Sequence, residues 1–261
     1  MGDRNNAASA LALALALTLA TALLLIAKHS VPKESFVGTS RGAAGDSSAA
    51  GGSAAGGSAA PPTLPYSVLP LDDVLTPAEC DALIRAAEPH LKRSMVVNRD
   101  PTGDHDREVL DAVRTSSQAW LTEDHPSAPA GKAVAKLLAT AAGLTGVRRR
   151  DLYESCMVAK YGPGQQYEAH HDSCTIGCEK APIYRLATLL VYLNQGYRGG
   201  TTTFPKINYT TAPKRGSGVL FYNTDSATGA VIPESLHSGD PVLAGQKYIA
   251  TVWIKFNPST T

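Results

Sequence analysis

The stretch that follows residue 76 carries apolar residues at helical spacing. Residues 76–79 (TPAE) have the pattern of a capping box with proline at the first helical position. Apolar side chains then recur at the first, fourth, fifth and eighth positions counted from Cys80, which places them on one helix face. The pattern predicts a helix over residues 77–88, ended by Pro89, because proline disfavours helical geometry in the residue before it. In this helix Cys80 is a core residue rather than a reactive thiol.

A second helix is predicted over residues 130–142, which are rich in Ala, Leu and Lys and therefore favour helical geometry. Gly143 is expected to close this helix in the left-handed conformation that glycine adopts at helix ends. Both helices are interpreted as packing supports for the rest of the domain.

After residue 150 the pattern changes to short β-branched and aromatic runs between Gly, Pro and Asn residues. Such runs are typical of strands, and they are found at residues 153–161, 186–194, 218–222 and 247–256. No alternation of strands and helices of the βαβ kind is visible. Helices first and many short strands afterwards predict an α+β domain, in which helices cover one side of a β-sandwich or distorted barrel.

The first quarter of the chain differs in composition from the rest. After a short tail at residues 1–6, residues 7–27 carry no charge and are almost wholly apolar, long enough for one transmembrane signal anchor. A cleaved signal peptide is the alternative, although its apolar run is usually shorter. Residues 28–63 are mostly Gly, Ala and Ser, as expected of a flexible linker. Residues 64–258 remain as one domain of ordinary size.

Charge and cysteine content exclude some classes of protein. The formal net charge is +1 and the pI is near 7.7, without the basic stripe that nucleic-acid binding needs, so no nucleic-acid partner is expected. Four cysteines are too few for a disulfide scaffold and lack the spacing of a zinc site. If the domain is lumenal, Cys174 and Cys178 either pair or remain thiols. Asn208 begins a glycosylation sequon, which is weak support for the lumenal side.

A candidate metal site lies in the segment that contains His170 and Asp172. In a strand, residues two apart lie on one face, so these two side chains converge while His171 points away. Two imidazoles and one carboxylate form the facial arrangement that leaves iron positions open for a co-substrate and oxygen, and His237 can supply the second imidazole. An isolated H-x-D pattern is common on protein surfaces, so this motif alone does not decide the function.

Lys247 follows His237 by ten residues on a predicted strand. A cation at this position could reach into a barrel mouth and pair with a dicarboxylate. The alternative is an ordinary solvated lysine, since a lysine seldom stays buried without an anionic partner.

From about residue 71 to residue 256 the chain resembles the prolyl 4-hydroxylase family of double-stranded β-helix oxygenases. Several of the family's motifs occur in order. They are the first-helix segment LTPAECDALI, the RTSS segment from Arg114 with Trp120-Leu121, the metal segment from Tyr161 to Asp172 (YGPGQQYEAHHD), the strand RLAT from Arg185, the turn GGTTTFP from Gly199, PKRG from Pro213, and SLH from Ser235 followed by Pro241-Val242, Lys247 and Trp253. The resemblance implies a jelly-roll, cupin-like double-stranded β-helix core with supporting N-terminal helices.

The resemblance also implies a role for each matching residue. It assigns Fe(II) binding to His170, Asp172 and His237. Lys247 would pair with the distal carboxylate of 2-oxoglutarate, and Tyr161 and Thr188 would hydrogen-bond the same co-substrate. Tyr167, Trp253 and Arg185 would lie on the peptide side. The sequence departs from the family at Thr201, where glutamate is usual, which puts the local hydrogen bonding of that turn in doubt. It also departs in the loop of residues 173–184, which puts substrate preference in doubt.

The implied reaction is hydroxylation of proline to 4-hydroxyproline in a proline-rich protein or peptide. It uses Fe(II), 2-oxoglutarate, O2 and L-ascorbate, and it releases succinate and CO2. By analogy, the catalytic domain faces the lumen of the endoplasmic reticulum or Golgi from a single-pass type II anchor; no oligomeric state is predicted. The alternatives are a hydroxylase of lysine, a nucleobase-modifying enzyme, and a catalytically silent, membrane-tethered peptide-binding module. An intact set of metal ligands argues against the silent module.

Overall fold

The computed structural model describes residues 68–98, 107–109, 111–147, 155–173 and 184–256, and these belong to a single compact unit. The predicted anchor (7–27), the predicted linker (28–63), and Cys174 and Cys178 lie outside the described residues. Among the residues that are described, no helix is long and apolar enough to cross a membrane.

Two α-helices lie in the first half of the domain. Helix α1 is Pro77–Ala87, and a 3-10 turn, Glu88–His90, follows it. The hydroxyl of Thr76 accepts from the backbone of Glu79, whose carboxylate in turn accepts from the backbone of Thr76, so the predicted capping box is confirmed. Cys80 is fully buried, as expected of a core residue.

Helix α2 is Ala128–Thr145, so it continues past the predicted end at Gly143. The prediction that Gly143 closes the helix is wrong, because Gly146 takes the left-handed conformation instead, with φ of 73°. An interior glycine costs a helix only about 1 kcal/mol relative to alanine. The backbone hydrogen bond from Gly146 to Ala142, at 2.9 Å, closes the last turn beyond it.

Short strands run through the whole described domain, including the region before residue 150, where the sequence analysis places none. The later predicted strands are confirmed: residues 218–222 and 247–256 match in full, and the other two differ by a few residues at their ends. The strands are β1 Val68–Leu71, β2 Lys92–Arg93, β3 Val96–Asn98, β4 Arg107–Val109, β5 Ser117–Leu121, β6 Cys156–Tyr161, β7 Tyr167–His170, β8 Tyr184–Tyr192, β9 Arg198–Gly199, β10 Thr202–Phe204, β11 Tyr209–Thr210, β12 Gly218–Tyr222, β13 His237–Gly239, β14 Val242–Ala244 and β15 Lys247–Phe256.

The strands form two main antiparallel sheets. The large sheet has the order β1-β12-β8-β15-β6-β5-β2, and the small sheet has the order β11-β10-β13-β7. Most neighbours in each sheet are distant in sequence, with the short hairpin β10-β11 as an exception, as in a jelly roll, where strands alternate between two sheets. The pairs β14-β9 and β3-β4 lie outside these sheets.

The large sheet has an apolar core on each face, because successive side chains of a strand point to opposite sides. On β15, Tyr248, Ala250, Val252 and Ile254 pack with helices α1 and α2. The alternate residues Ile249 and Trp253 belong to a second core together with Phe204 of the small sheet. Lys247 lies in register with these inward-facing residues, so the space between the sheets can receive its side chain.

Candidate active site

His170, Asp172 and His237 converge between the two sheets. His170 ends β7 and is the register partner of His237, which begins β13, while Asp172 lies just beyond β7. The Nε2 atoms of His170 and His237 are 3.4 Å and 3.9 Å from the carboxylate oxygens of Asp172. One potential ligand atom from each residue lies within 4.8 Å of the others. The structure therefore brings together the three predicted ligands.

The backbone orients both imidazole rings. The Nδ1–H of His170 donates to the carbonyl oxygen of Glu168 at 2.8 Å, and that of His237 donates to the carbonyl oxygen of Ser235 at 2.9 Å. Because Nδ1 carries the proton in this arrangement, the lone pair of each ring lies on Nε2, which faces the carboxylate. Such support of the second ring nitrogen is usual for histidines that bind metals.

His171 faces away from these residues, as the strand pattern predicts. Its side chain is exposed, and its Nδ1 lies 3.1 Å from the hydroxyl of Ser235. The two adjacent histidines are thus distinguished by strand geometry, and only His170 lines the cavity described below.

The Asp172 carboxylate is held by groups of the large sheet. The indole N–H of Trp253 donates to Oδ2 at 3.0 Å and the hydroxyl of Thr188 donates to the same oxygen at 2.9 Å. Asn223 donates to the Thr188 hydroxyl at 2.9 Å. Burial raises the pKa of Asp172, but its close contact with the imidazoles of His170 and His237 outweighs burial and holds the pKa well below its usual range. The carboxyl is therefore ionised.

His237 is buried, and burial together with the neighbouring His170 lowers its pKa to about 4. The imidazole is therefore neutral at physiological pH, which is the form that binds a metal. Two imidazoles and one ionised carboxylate fit Fe(II) in the facial arrangement of non-haem oxygenases. The geometry of the three residues suits metal binding, and their role as metal ligands stays a prediction.

Lys247 is the most unusual charged residue of the site, because only 1% of its surface is exposed. It is the register partner of Tyr161, and its Nζ lies 5.2 Å and 5.8 Å from the ring centroids of Tyr161 and Tyr192. No carboxylate of the described residues forms an ion pair with it. Burial lowers the pKa of Lys247 to about 8, partly opposed by the charge of Asp240. A buried cation without a carboxylate partner is costly, so this lysine suits an anionic ligand.

One cavity is lined by His170, Asp172, His237 and Lys247 together. Its lining residues are Arg114, Met157, Tyr161, Tyr167, His170, Asp172, Thr188, Leu190, Thr202, His237, Ser238, Gly239, Lys247, Ile249, Thr251 and Trp253.

The other predicted site residues lie in or next to this cavity. Tyr161 and Thr188 line it, although the described hydrogen bonds of Thr188 join it to Asp172 and Asn223. Tyr167 lines it and stacks on His170, with ring centroids 3.6 Å apart. The guanidinium of Arg185 does not line the cavity but lies 4.1 Å from the ring centroid of Trp253. The roles of these residues toward co-substrate and substrate stay predictions.

Three residues that shape the site have no role predicted from the sequence. Arg114, noted only as part of a motif, is 8% exposed and lies 4.9 Å from the centre of the Tyr167 ring. Asn223 acts on Asp172 through Thr188. Asp240 accepts hydrogen bonds from Thr201, Thr203 and Ser238. The RTSS motif was a signal for Arg114, whereas nothing in the local sequence marks the other two.

Comparison with known proteins agrees with this geometry. Residues 156–255, which contain every predicted site residue, match the 2OG-Fe(II) oxygenase superfamily. Prolyl 4-hydroxylase 1 of Arabidopsis thaliana is 34% identical over 203 residues, covering 72% of this chain and 68% of that protein. The chain belongs to the prolyl 4-hydroxylase family. The predicted class of enzyme, an oxygenase that uses Fe(II), 2-oxoglutarate and O2, is thereby confirmed.

Other members of the prolyl 4-hydroxylase family extend the comparison. The human prolyl 4-hydroxylase subunit alpha-3 is 32% identical over 73% of this chain, which corresponds to only 34% of that subunit. The crystal structure of a viral collagen prolyl hydroxylase from Paramecium bursaria Chlorella virus 1, in complex with 2-oxoglutarate, superposes with a TM-score of 0.55 at 30% identity, covering 73% of this chain and 96% of that one. The predicted α+β fold with a jelly-roll core is confirmed.

Proposed function

We propose that this chain hydroxylates proline residues to 4-hydroxyproline within a proline-rich protein or peptide, consuming 2-oxoglutarate and O2 and releasing succinate and CO2. The observation that carries the proposal is the combination, in one cavity, of the three metal-ligand candidates with a buried lysine that lacks a carboxylate partner among the described residues. A dicarboxylate can satisfy both ends of this site at once.

Different residues of the cavity would have different roles in this reaction. His170, Asp172 and His237 would hold Fe(II), which supplies the oxygen chemistry when it is bound. Lys247 would bind the distal carboxylate of 2-oxoglutarate, and the ring faces of Tyr161 and Tyr192 stabilise its charge. Trp253 and Thr188 donate hydrogen bonds to Oδ2 of Asp172 and fix the direction of the carboxylate. The apolar walls exclude water, so that the co-substrate and the target C–H bond are positioned with little competing hydration.

The proposed substrate class, a proline-containing peptide, is based on the names of related proteins. The Arabidopsis protein is named a prolyl 4-hydroxylase and the viral structure a collagen prolyl hydroxylase. A peptide in the polyproline II conformation would suit an open cavity, because its backbone is already extended and loses little entropy on binding. The loop of residues 173–184 departs from the family, so the preferred sequence around the target proline is specific to this chain.

The test of this function is hydroxylation of synthetic peptides. Residues 64–261 are incubated with Fe(II), L-ascorbate, 2-oxoglutarate and either a collagen-like or a poly-proline peptide. We expect stoichiometric succinate and a 16 Da mass increase on proline, located by fragmentation. Lysine-containing peptides test the alternative residue. Hydroxylation of lysine and not proline would replace the proposal, and absence of peptide-dependent succinate with metal bound would favour a silent binding module.

L-ascorbate is part of the proposal as a reductant that keeps the iron in the ferrous state. Its contribution is measured as the number of turnovers before activity stops, with and without ascorbate, at equal Fe(II) concentration. Equal turnover numbers would remove it from the cofactor set.

The location of the enzyme is proposed as well: a single-pass type II protein of the endoplasmic reticulum or Golgi, with its catalytic domain in the lumen. The apolar run at residues 7–27 and the exposed sequon at Asn208 support it. If Asn208 faces the lumen and carries a glycan, endoglycosidase treatment shifts the mobility of the wild-type chain and not of Asn208→Gln. Extraction of the full chain by carbonate alone would contradict the anchor.

A further inference from the structure

Asn223 is a buried amide side chain behind the candidate metal site. It follows β12, and none of its surface is exposed. Its side chain points to the same sheet face as Phe221, two residues earlier. Phe221 is the register partner of Thr188 on β8, which in turn is the register partner of Trp253 on β15. Three neighbouring strands of the large sheet thus bring Asn223, Thr188 and Trp253 together beside Asp172.

The direction of each hydrogen bond in this group follows from the charge of Asp172. An ionised carboxylate only accepts, so the hydroxyl of Thr188, at 2.9 Å from Oδ2, uses its single hydrogen for this bond. The bond of 2.9 Å between Thr188 and Asn223 is then donated by the amide nitrogen of Asn223. The two bonds form a relay from Asn223 through Thr188 to Asp172.

The amide oxygen of Asn223 does not take part in this relay. It is buried and has no hydrogen-bond partner among the residues that the structure describes. A buried acceptor without a partner lowers stability, because its hydration is lost and nothing replaces it. An apolar side chain of similar size would avoid this loss. The asparagine is thus unfavourable for the fold, and the N–H that it donates to Thr188 is the feature that an apolar residue lacks.

The relay fixes which oxygen of Asp172 faces the imidazoles. Both hydrogen bonds that the large sheet donates to the carboxylate, from Trp253 and from Thr188, end on Oδ2. The other oxygen, Oδ1, lies 3.4 Å from Nε2 of His170. Rotation of the carboxylate would break two hydrogen bonds to a charged acceptor, and such bonds are about twice as strong as those between neutral groups. The lone pairs of Oδ1 are therefore the ones left for a metal ion.

We propose that Asn223 is a positioning residue of the metal site, whose amide holds the Thr188 hydroxyl on Oδ2 so that Asp172 presents only Oδ1 to the ion. This inference rests on the proposed function, which needs a metal at these residues. A carboxylate that binds through one oxygen takes one coordination position and leaves the others open for the co-substrate and oxygen. Without the relay the carboxylate can turn and use both oxygens, which occupies one of those positions.

The test measures Co(II) binding to the metal-free protein under anaerobic conditions, by calorimetry and by visible absorption. Asn223→Leu removes the donated N–H and the unpaired oxygen together, with a small change of volume. We expect its affinity for Co(II) to fall by about tenfold to a hundredfold, as is usual when a residue that supports a metal ligand is removed. The visible spectrum of bound Co(II) should also change, because it depends on the ligand geometry. The urea midpoint of the metal-free variant should equal or exceed that of wild-type protein, since a buried unpaired acceptor is lost.

Asn194→Leu is the matched control for this substitution. The side chain of Asn194 accepts from the backbone N–H of Tyr248 at 2.8 Å and donates to the carbonyl oxygen of Gln246 at 2.7 Å, and it does not line the cavity. Its loss should lower the urea midpoint and leave the Co(II) affinity and spectrum unchanged. Asn223→Leu should show the opposite pattern. Wild-type Co(II) affinity in Asn223→Leu, or a metal-free Asn223→Leu that is less stable than wild-type protein, would contradict the proposal.

Thr188→Val tests whether Asn223 acts through Thr188. Valine keeps the shape of threonine and removes the hydroxyl, so this variant should also bind Co(II) about tenfold to a hundredfold more weakly. Adding Asn223→Leu to Thr188→Val should then lower the affinity by less than about twofold further, because the relay is already broken. Wild-type affinity in Thr188→Val, or losses that multiply in the double variant, would overturn the relay.

Co(II) binding also separates this inference from the function on which it rests. If wild-type protein binds Co(II) and His170→Ala does not, but no proline peptide is hydroxylated, the proposed function fails and the role of Asn223 is decided by the Co(II) affinities alone. If proline peptides are hydroxylated and Asn223→Leu has wild-type Co(II) affinity, only the role of Asn223 fails. If wild-type protein binds no Co(II) at these residues, both fail together.

Discussion

Each predicted histidine ligand depends on a carbonyl oxygen of its own strand region. His170 donates to Glu168 and His237 donates to Ser235, each two residues earlier in the chain. The same local geometry at both positions leaves each Nε2 free to face Asp172. The ligands are therefore preorganised by the backbone, and binding the metal needs little rearrangement of their rings.

The adjacent histidines provide a matched pair of variants. His170→Ala should abolish stoichiometric Fe(II) binding and lower succinate release by at least about a thousandfold, because it removes one of three protein ligands. His171→Ala should keep wild-type metal content and most of the activity, since His171 is exposed and does not line the cavity. Metal content by mass spectrometry and succinate release check both. Loss of iron in His171→Ala alone would reverse the assignment.

If Lys247 binds 2-oxoglutarate as proposed, co-substrate binding should depend on pH. Its pKa is about 8 in the ligand-free protein, so the ammonium is present below pH 8 and is lost above it. A bound dicarboxylate favours the charged form, so the KM for 2-oxoglutarate should rise by up to about tenfold per pH unit above pH 8.

Lys247→Ala provides the control for this pH dependence. Its KM for 2-oxoglutarate should be at least about a hundredfold higher at pH 7, and the rise above pH 8 should be absent. Lys214→Ala, at an exposed lysine, should behave like the wild-type protein. A KM for 2-oxoglutarate that is constant from pH 7 to pH 9.5 in the wild-type protein would contradict the role of Lys247.

At the scale of elements, the two helices support the site from the outer face of the large sheet. Leu83 of α1 and Leu137 of α2 are almost fully buried in the same apolar core as Val158 and Val252. The inward-facing residues of these strands, such as Met157 and Trp253, belong to the other core or line the cavity. Each central strand thus has one face that stabilises the fold and one that forms the site.

The end of α2 offers a matched pair of glycines for measuring backbone effects. A Cβ added at either Gly143 or Gly146 would meet nothing within 4 Å, so neither substitution causes a clash. Gly143 is interior to the helix, and Gly143→Ala should raise the free energy of unfolding by about 0.5–1 kcal/mol. Gly146 has φ of 73°, and Gly146→Ala should lower it by about 1 kcal/mol. Urea titration measures the free energy of unfolding of both variants. Equal changes in the two variants would contradict Gly146 as the end of α2.

At the scale of the whole molecule, the site joins the two sheets of the jelly roll. His170 and His237 belong to the small sheet, whereas Lys247, Thr188 and Trp253 belong to the large one. Metal and co-substrate would therefore contact both sheets together. Binding of Fe(II) and 2-oxoglutarate should stabilise the whole fold, since both ligands bind only the folded state.

This stabilisation is measurable by thermal unfolding under anaerobic conditions. With Fe(II) at saturation throughout, addition of 2-oxoglutarate at about a hundred times its Kd should raise the free energy of unfolding by about 2.7 kcal/mol and Tm by roughly 5–10 °C. His170→Ala should show no such shift with the same additions. An equal shift in wild-type protein and His170→Ala would mean that the ligands bind elsewhere.

Local patterns determined the elements whose signal lies within a few residues. The capping box from Thr76 and the strands at residues 218–222 and 247–256 follow from hydrogen bonding and side-chain period, which are local properties. The choice of His170 over His171 also needed only the two-residue period of a strand. Gly143 was predicted wrongly as the end of α2 because two glycines lie within one turn of each other, and propensity does not decide which one ends a helix.

The order of motifs along the chain predicted the family, the jelly-roll core and the candidate ligands. These include His237, which is far in sequence from the other two ligands. Only the tertiary structure decided what surrounds them. The short strand β5 was missed, and with it the position of Trp120 beside Trp253. Which strands become neighbours decides three further features. These are the hydrogen bonds from Thr188 and Trp253 to Asp172, the pKa of Lys247 and the position of Arg114. Cross-strand register and burial bring distant residues together, and no local pattern contains that information.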